Sequence, residues 1–159
     1  ESMNPESVIK GRISETIVSL MLEEAGYSIF RYGYENMPQG LIQSCLPRIG
    51  KGLPATERIL TTPTFVIIGK KDKTNFIKVK FQKDTKSGGS VKWGAEKLAY
   101  YWPETDLIVV KPKPPYFLIV NVMDLFHGKK MTPLKESASF AVGEDTIRKY
   151  GALIRKFLT

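Results

Sequence analysis

The stretch Thr61–Phe81, TTPTFVIIGKKDKTNFIKVKF, carries the clearest structural pattern in the sequence. Its first part, Thr64–Gly69, holds four consecutive apolar residues after Pro63, which is typical of a buried strand. Its second part, Asn75–Gln82, alternates apolar and polar residues, which is typical of a half-buried strand. The charged segment Lys70–Thr74 predicts a turn between them. We therefore predict two adjacent strands that form the centre of a sheet.

Patterns on both sides of this strand pair predict the other elements, and Glu35–Leu60 is a stretch without clear periodicity. The predicted helices are Ser7–Gly26, Val91–Trp102, the single turn Val122–Phe126, and Gly143–Leu158. The further predicted strands are Tyr27–Tyr34, Asp106–Val110 and Tyr116–Asn121, and Lys83–Ser90 is predicted as a flexible loop. This order predicts one α/β domain over residues 1–159, with a single mixed β-sheet flanked by helices.

The charge and composition of the chain narrow the choice of partners. Lys and Arg number 24 against 16 Asp and Glu, a net charge of +8 that favours a polyanionic partner, although a solvated basic surface is the alternative. The single cysteine, Cys45, forms no internal disulfide, which agrees with a cytoplasmic protein. No apolar run approaches the roughly 20 residues that span a bilayer, so we expect no membrane partner.

Three short motifs follow one another along the chain. They are Gly11–Glu15 (GRISE) on the first predicted helix, and Thr62–Phe65 (TPTF) and Lys78–Phe81 (KVKF) on the predicted strand pair. With the following helix and Asp106–Val110, this order resembles the PD-(D/E)XK nuclease superfamily, the restriction-endonuclease-like fold shared by archaeal Holliday junction resolvases. The resemblance covers about residues 8–120. It implies an αβββαβ core in which Glu15 and the second lysine of the last motif belong to the catalytic set.

The residues that hold Mg²⁺ in that family are replaced here. Thr64 stands where the family carries an aspartate, Lys78 where it carries a second acid, and Gln82 follows on the same strand. Mg²⁺ prefers carboxylate oxygens, whereas threonine offers a neutral oxygen and lysine repels the cation. We therefore expect no metal and no cofactor, unless a relocated acid restores an Mg²⁺ site. Glu35, at the end of the first predicted strand, is the best candidate for that acid, whereas Asp72 lies in the predicted turn and Asp84 lies past the second strand of the pair.

Lys78 and Lys80 lie two residues apart on a predicted strand and therefore share one face. They could pair with Glu15, bind a phosphate, or simply face solvent. The other basic residues expected to contact nucleic acid are Lys10, Arg12, Lys70, Lys71, Lys73, Lys83, Lys86 and Lys92. The aromatic residues Trp93, Tyr100, Tyr101 and Trp102 could stack on bases, but their helical spacing favours the core.

Three functions remain open from the sequence. The one we predict is a catalytically inactive nuclease-like domain that binds nucleic acid, DNA foremost, through a basic cleft. The second is an active Mg²⁺-dependent endonuclease that uses Glu15, Lys80 and a relocated acid. The third is a protein-interaction or assembly subunit that forms a homodimer through the terminal helix, Gly143–Thr159.

Overall fold

Among the described residues, six strands form one mixed sheet. The structure is a computed structural model that describes residues 4–32, 61–70, 73–83 and 88–159, and for residues 88–94 it describes the backbone alone. The strands lie side by side in chain order, with β3 and β4 parallel and all other neighbours antiparallel. They are β1 (Ser28–Arg31), β2 (Phe65–Ile68), β3 (Thr74–Phe81), β4 (Thr105–Val110), β5 (Phe117–Asn121) and β6 (Thr132–Pro133).

The part of the chain that the structure describes includes four α-helices: α1 (Pro5–Glu24), α2 (Gly88–Tyr101), α3 (Val122–Phe126) and α4 (Glu144–Phe157). The first helix begins where the sequence favours a helix start, because Oδ1 of Asn4 accepts a 3.0 Å hydrogen bond from the backbone N–H of Glu6. It ends before Gly26, whose φ of 99° suits glycine. The elements confirm the predicted α/β class, and α1–β1–β2–β3–α2–β4 follow one another in the αβββαβ order.

The sheet buries apolar side chains on both faces. The α1 face is covered by α1 and α4, and its cluster includes Leu22, Phe65, Ile77 and Ile154. The α2 face carries a smaller cluster that joins Leu98 and Ala99 of α2 to side chains of β4 and β5.

Three contacts fasten the C-terminal part of the chain to the N-terminal part. Nζ of Lys149 on α4 lies 2.9 Å from Oε1 of Glu24 at the end of α1. The hydroxyl of Tyr27 accepts a 2.8 Å hydrogen bond from the backbone N–H of Ala141. The ring of Tyr27 also packs edge-on against Phe140, with 5.4 Å between the ring centroids.

The secondary structure differs from the sequence prediction at the start of α2 and at β6, among other places. Gly88–Ser90, predicted as part of a loop, form the first turn of α2. Glycine is tolerated there because the helix is held further along by the packing of Leu98 and Ala99. The strand β6 was not predicted because two residues carry no periodic signal, yet Thr132 pairs with Ile119. The aperiodic stretch Glu35–Leu60 lies outside the described residues.

Within the ranges that the structure describes, no helix is both long enough and apolar enough to cross a membrane.

Candidate functional site

The strand β3 presents a different set of side chains to each face of the sheet. Ile77 and Val79 belong to the cluster of the α1 face. Because successive side chains of a strand point to opposite faces, Lys78 and Lys80 project on the α2 face. Phe76 lies in the same row, since its ring contacts that of Trp102 at the end of α2, with 5.5 Å between centroids. One face of β3 therefore serves the core, and the other carries an aromatic ring followed by two lysines.

Thr64 lies beside this row, as the sequence predicts for two adjacent strands. Its backbone N–H donates to the carbonyl of Ile77 at 2.8 Å, and its Oγ1 accepts from the N–H of Val79 at 3.2 Å. The residue is 6% exposed. The hydroxyl thus accepts a hydrogen bond that a backbone carbonyl would otherwise accept in the β2–β3 ladder. One of its lone pairs is therefore already used in holding the two strands together.

The two lysines differ in what they contact. Nζ of Lys78 donates to the carbonyl of Thr62 at 3.3 Å. Lys80 is half-buried, and none of the ion pairs or hydrogen bonds found among the described residues involves its ammonium. Burial, and to a smaller extent the charge of Lys78, lowers the pKa of the Lys80 ammonium. The site therefore concentrates positive charge in a partly desolvated place.

This arrangement does not suit a divalent cation. Thr64 supplies one neutral oxygen, and the ammonium groups of Lys78 and Lys80 would repel Mg²⁺. In the part of the chain that the structure describes, no three acidic, histidine or cysteine side chains come together in a way that could hold a metal. Glu35, Asp72 and Asp84, the candidates for a relocated acid, lie outside the described residues.

The structure does not bring Glu15 to the two lysines. Oε2 of Glu15 pairs with Nη1 of Arg31 on β1 at 3.2 Å. The guanidinium of Arg31 in turn lies 5.5 Å from the ring centroid of Phe65, which belongs to the α1 face. Of the three alternatives for the lysines, an ion pair with Glu15 is not formed, because α1 packs on the face of the sheet opposite to Lys78 and Lys80.

Gln82 follows directly after β3. Its backbone N–H donates to the carbonyl of Val110 at 2.9 Å, which continues the pairing of β3 with β4. The residue is 7% exposed, so it is part of the packed structure rather than of an open surface.

The described basic residues that were expected to contact nucleic acid are dispersed. Lys70 and Lys73 are exposed before the start of β3, and Lys83 is exposed beyond its end. These positions are separated by the length of an eight-residue strand, about 26 Å. Lys10 lies on α1, where its Nζ is 2.7 Å from Oε1 of Glu6. Exposed Arg12 lies on the same helix, whereas Lys71 and Lys86, and the side chain of Lys92, lie outside what the structure describes.

Aromatic side chains that the sequence prediction did not single out lie on the same face of the sheet as the lysines. Tyr32, at the end of β1, has its ring 5.9 Å from that of Phe76 and 5.9 Å from that of Trp102. Phe30 is 55% exposed and Tyr32 is 41% exposed. The signal for them was the alternation of aromatic residues in Tyr27–Tyr34, which places Phe30 and Tyr32 on one face.

A second polar feature lies on the α1 face. Asp106 at the start of β4 is 8% exposed and lines a cavity of about 290 Å³ between β5 and the segment around Ser137. Its Oδ1 accepts a hydrogen bond from Nδ2 of Asn121 at 3.4 Å. Burial is the main cause that raises the pKa of this carboxyl, and the hydrogen bond from Asn121 partly opposes it. Sequence reasoning treated Asp106 only as the start of an apolar strand.

Comparisons with known proteins add no assignment. Neither a family model, nor a curated protein, nor a solved structure matches the chain significantly. The chemistry of the site is therefore inferred from its own residues.

Proposed function

We propose that the chain binds nucleic acid through the lysine side of β3, as a nuclease-like domain that does not cleave its ligand in a metal-dependent reaction. The observation that carries this proposal is the pair formed by Lys78 and Lys80, half-buried on one face, with no carboxylate contacting either ammonium among the described residues.

A phosphate group would satisfy both lysines. Desolvation makes the ammonium of Lys80 costly, and Lys78 adds repulsion. A bound anion removes both penalties, because it supplies the opposite charge and the acceptors that the site lacks. The net charge of +8 favours the approach of a polyanion by long-range attraction. Nucleic acid is the polyanion that such a charge most often serves.

The absence of cleavage is proposed from the residue types. In the resemblance to PD-(D/E)XK nucleases, Thr64 and Lys78 occupy the places of the metal-binding acids. The hydroxyl of Thr64 already accepts a hydrogen bond from Val79. Glu15, the remaining acid of the motif, pairs with Arg31. These residues suit the retention of a phosphate better than its activation by a metal.

Binding is tested with the double variant Lys78→Met/Lys80→Met, which keeps the aliphatic stems but removes two charges. We expect binding of short DNA and RNA to weaken about tenfold at low salt, with a smaller slope of log K against log salt by roughly one unit or more, as for two lost phosphate contacts. Fluorescence anisotropy at several salt concentrations measures both quantities. Urea unfolding of the same variant shows whether the fold is intact.

The matched control is Arg155→Gln/Lys156→Gln, which removes the same charge from exposed positions of α4. If the control weakens binding as much as the β3 variant, the interaction depends on net charge and not on this site. If the wild-type protein binds no nucleic acid at low salt, the proposed function is wrong.

Cleavage is tested separately with linear and branched DNA in Mg²⁺ or Mn²⁺. We expect intact substrate after prolonged incubation. Cleavage that disappears in Glu15→Ala would instead establish an active nuclease that uses that glutamate.

A further inference from the structure

We infer that the preferred ligand of this surface is a single strand of nucleic acid, DNA or RNA, with its bases stacked on Phe30 and Tyr32 and its phosphates on Lys78 and Lys80. This inference rests on the proposed function and goes beyond it by naming the form of the ligand.

The strand register places these residues on one surface. Phe30 pairs with Val66, and Val66 pairs with Phe76, so the three residues form a row across β1, β2 and β3. Tyr32 extends the row beside Phe76. The lysines follow Phe76 on the same face at spacings of about 6.6 Å per two residues. The aromatic row and the lysine pair thus meet at Phe76.

The aromatic residues remain accessible. Phe30 is 55% exposed and Tyr32 is 41% exposed, although Phe30 lies on β1 and Tyr32 directly follows it. Their side of the sheet is the α2 face, where the apolar cluster lies over β4 and β5 rather than over β1. Two neighbouring aromatic rings that remain exposed on a sheet face, next to lysines, form a stacking surface for flat ligands.

Tyr32 is also held in position. Its ring makes an edge contact with Trp102 at an interplanar angle of 80°, and Phe76 makes an edge contact with Trp102 at 66°. Rings that are fixed before binding lose little conformational freedom when a base stacks on them. The arrangement therefore favours binding through stacking.

The form of the ligand follows from what each nucleic acid can offer. In a duplex the base faces are stacked on one another, so a duplex offers this surface mainly its phosphates. A single strand offers unpaired bases to the rings and phosphates to the lysines together. Because DNA and RNA share this chemistry, the choice between them is left to the experiment.

The experiment compares fluorescein-labelled oligodeoxyuridine, oligouridine, a duplex of equal length and an abasic strand with the same phosphates, by anisotropy at low salt. We expect both normal single strands to bind roughly tenfold or more tightly than the abasic strand, with the duplex close to the abasic strand. Oligodeoxyuridine and oligouridine differ only at the 2′ position of the sugar, so the tighter of the two identifies DNA or RNA as the preferred ligand.

The variant Phe30→Leu/Tyr32→Leu keeps apolar side chains but removes the aromatic faces. We expect it to lose the preference for normal over abasic strands, while its affinity for the abasic strand and its salt dependence stay unchanged. Phe157→Leu, which changes a 54% exposed ring at the end of α4, is the control and should retain the preference.

The outcomes separate the two proposals. Equal binding of normal and abasic strands, or an unchanged preference in Phe30→Leu/Tyr32→Leu, would overturn the stacking inference and leave phosphate binding in place. Failure to bind any of the four ligands would overturn both.

Discussion

The two faces of the sheet differ in how the described residues cover β3 and its neighbours. On the α1 face, Ile77 and Val79 lie within a cluster that extends from α1 to α4. On the α2 face, Lys78 and Lys80 lie beside aromatic rings that are partly exposed. Side chains on one face of β3 thus stabilise the core, and side chains on its other face form the candidate site, because successive side chains of a strand point to opposite faces. We therefore expect substitutions at adjacent positions of β3 to change the free energy of unfolding in opposite directions.

The largest effect is expected on the α1 face. Ile77 is completely buried, so Ile77→Ala should lower the free energy of unfolding by about 3 kcal/mol through lost burial and a residual cavity. Urea unfolding measures the loss. The comparison is Val66→Ala on the α2 face of β2, where the side chain is half-buried and the loss should be below about 1 kcal/mol. Equal losses would contradict the distinction between the faces.

A smaller effect of opposite sign is expected at Lys80. Lys80→Met should raise the free energy of unfolding at pH 7 by about 1 kcal/mol, because it removes a partly desolvated charge. The folded state lowers the pKa of this ammonium, so the unfolded state binds the proton more tightly. As the pH rises through the folded pKa, the free energy of unfolding of the wild-type protein therefore increases relative to that of the variant. The difference between the two proteins disappears near the unfolded pKa of about 10.4.

Urea unfolding of both proteins at about pH 7 and about pH 10 checks the Lys80 prediction. Lys83→Met is the control, since Lys83 is exposed and its neutralisation should change stability little at either pH. A variant at Lys80 that is less stable than wild type at pH 7 would mean that its ammonium is stabilised within the fold.

The smallest effect is expected at Asp106, the buried acid of the α1 face. The pKa of the Asp106 carboxyl is raised in the folded state, so the folded protein binds the proton more tightly than the unfolded chain does. The stability gained from this difference is fully present below the unfolded pKa and is lost as the pH rises through the folded pKa. Asp106→Asn should therefore be more stable than wild type at pH 7 by about 0.5 kcal/mol, with Asn121 still able to donate to the new amide.

This advantage should vanish at about pH 3, where the wild-type carboxyl is protonated in both states. Thermal unfolding at the two pH values measures the difference. Asp124→Asn, at an exposed position paired with Lys129, is the control. An advantage of equal size at both pH values would show that the charge of Asp106 is not its cause.

The sequence predicted the parts of this arrangement that depend on local pattern. The alternation of β3 correctly indicated a strand with Lys78 and Lys80 on one side, and the motif order placed Thr64 beside it. It did not predict that Glu15 pairs with Arg31, because a motif gives spacing along a helix but not the face of the sheet on which that helix packs.

The distribution of the basic residues and the exposure of the aromatic residues could not be predicted from the sequence either. The net charge of a chain does not show where its charged residues lie in the fold, so it did not indicate that Lys73 and Lys83 lie at opposite ends of β3. The exposure of Phe30 and Tyr32 depends on which elements pack over β1, and those elements are distant in the sequence.

The contact between Lys149 and Glu24 joins residues 125 positions apart, at the place where α4 packs on α1. During synthesis at about 5–20 residues per second, α1 therefore waits about 6–25 s between its own completion and the arrival of the helix that covers it. Throughout that interval the side of α1 that packs on α4 lacks its final neighbour, although the side that packs on β3 can already be covered. The two sides of the first helix are thus buried at different times during synthesis.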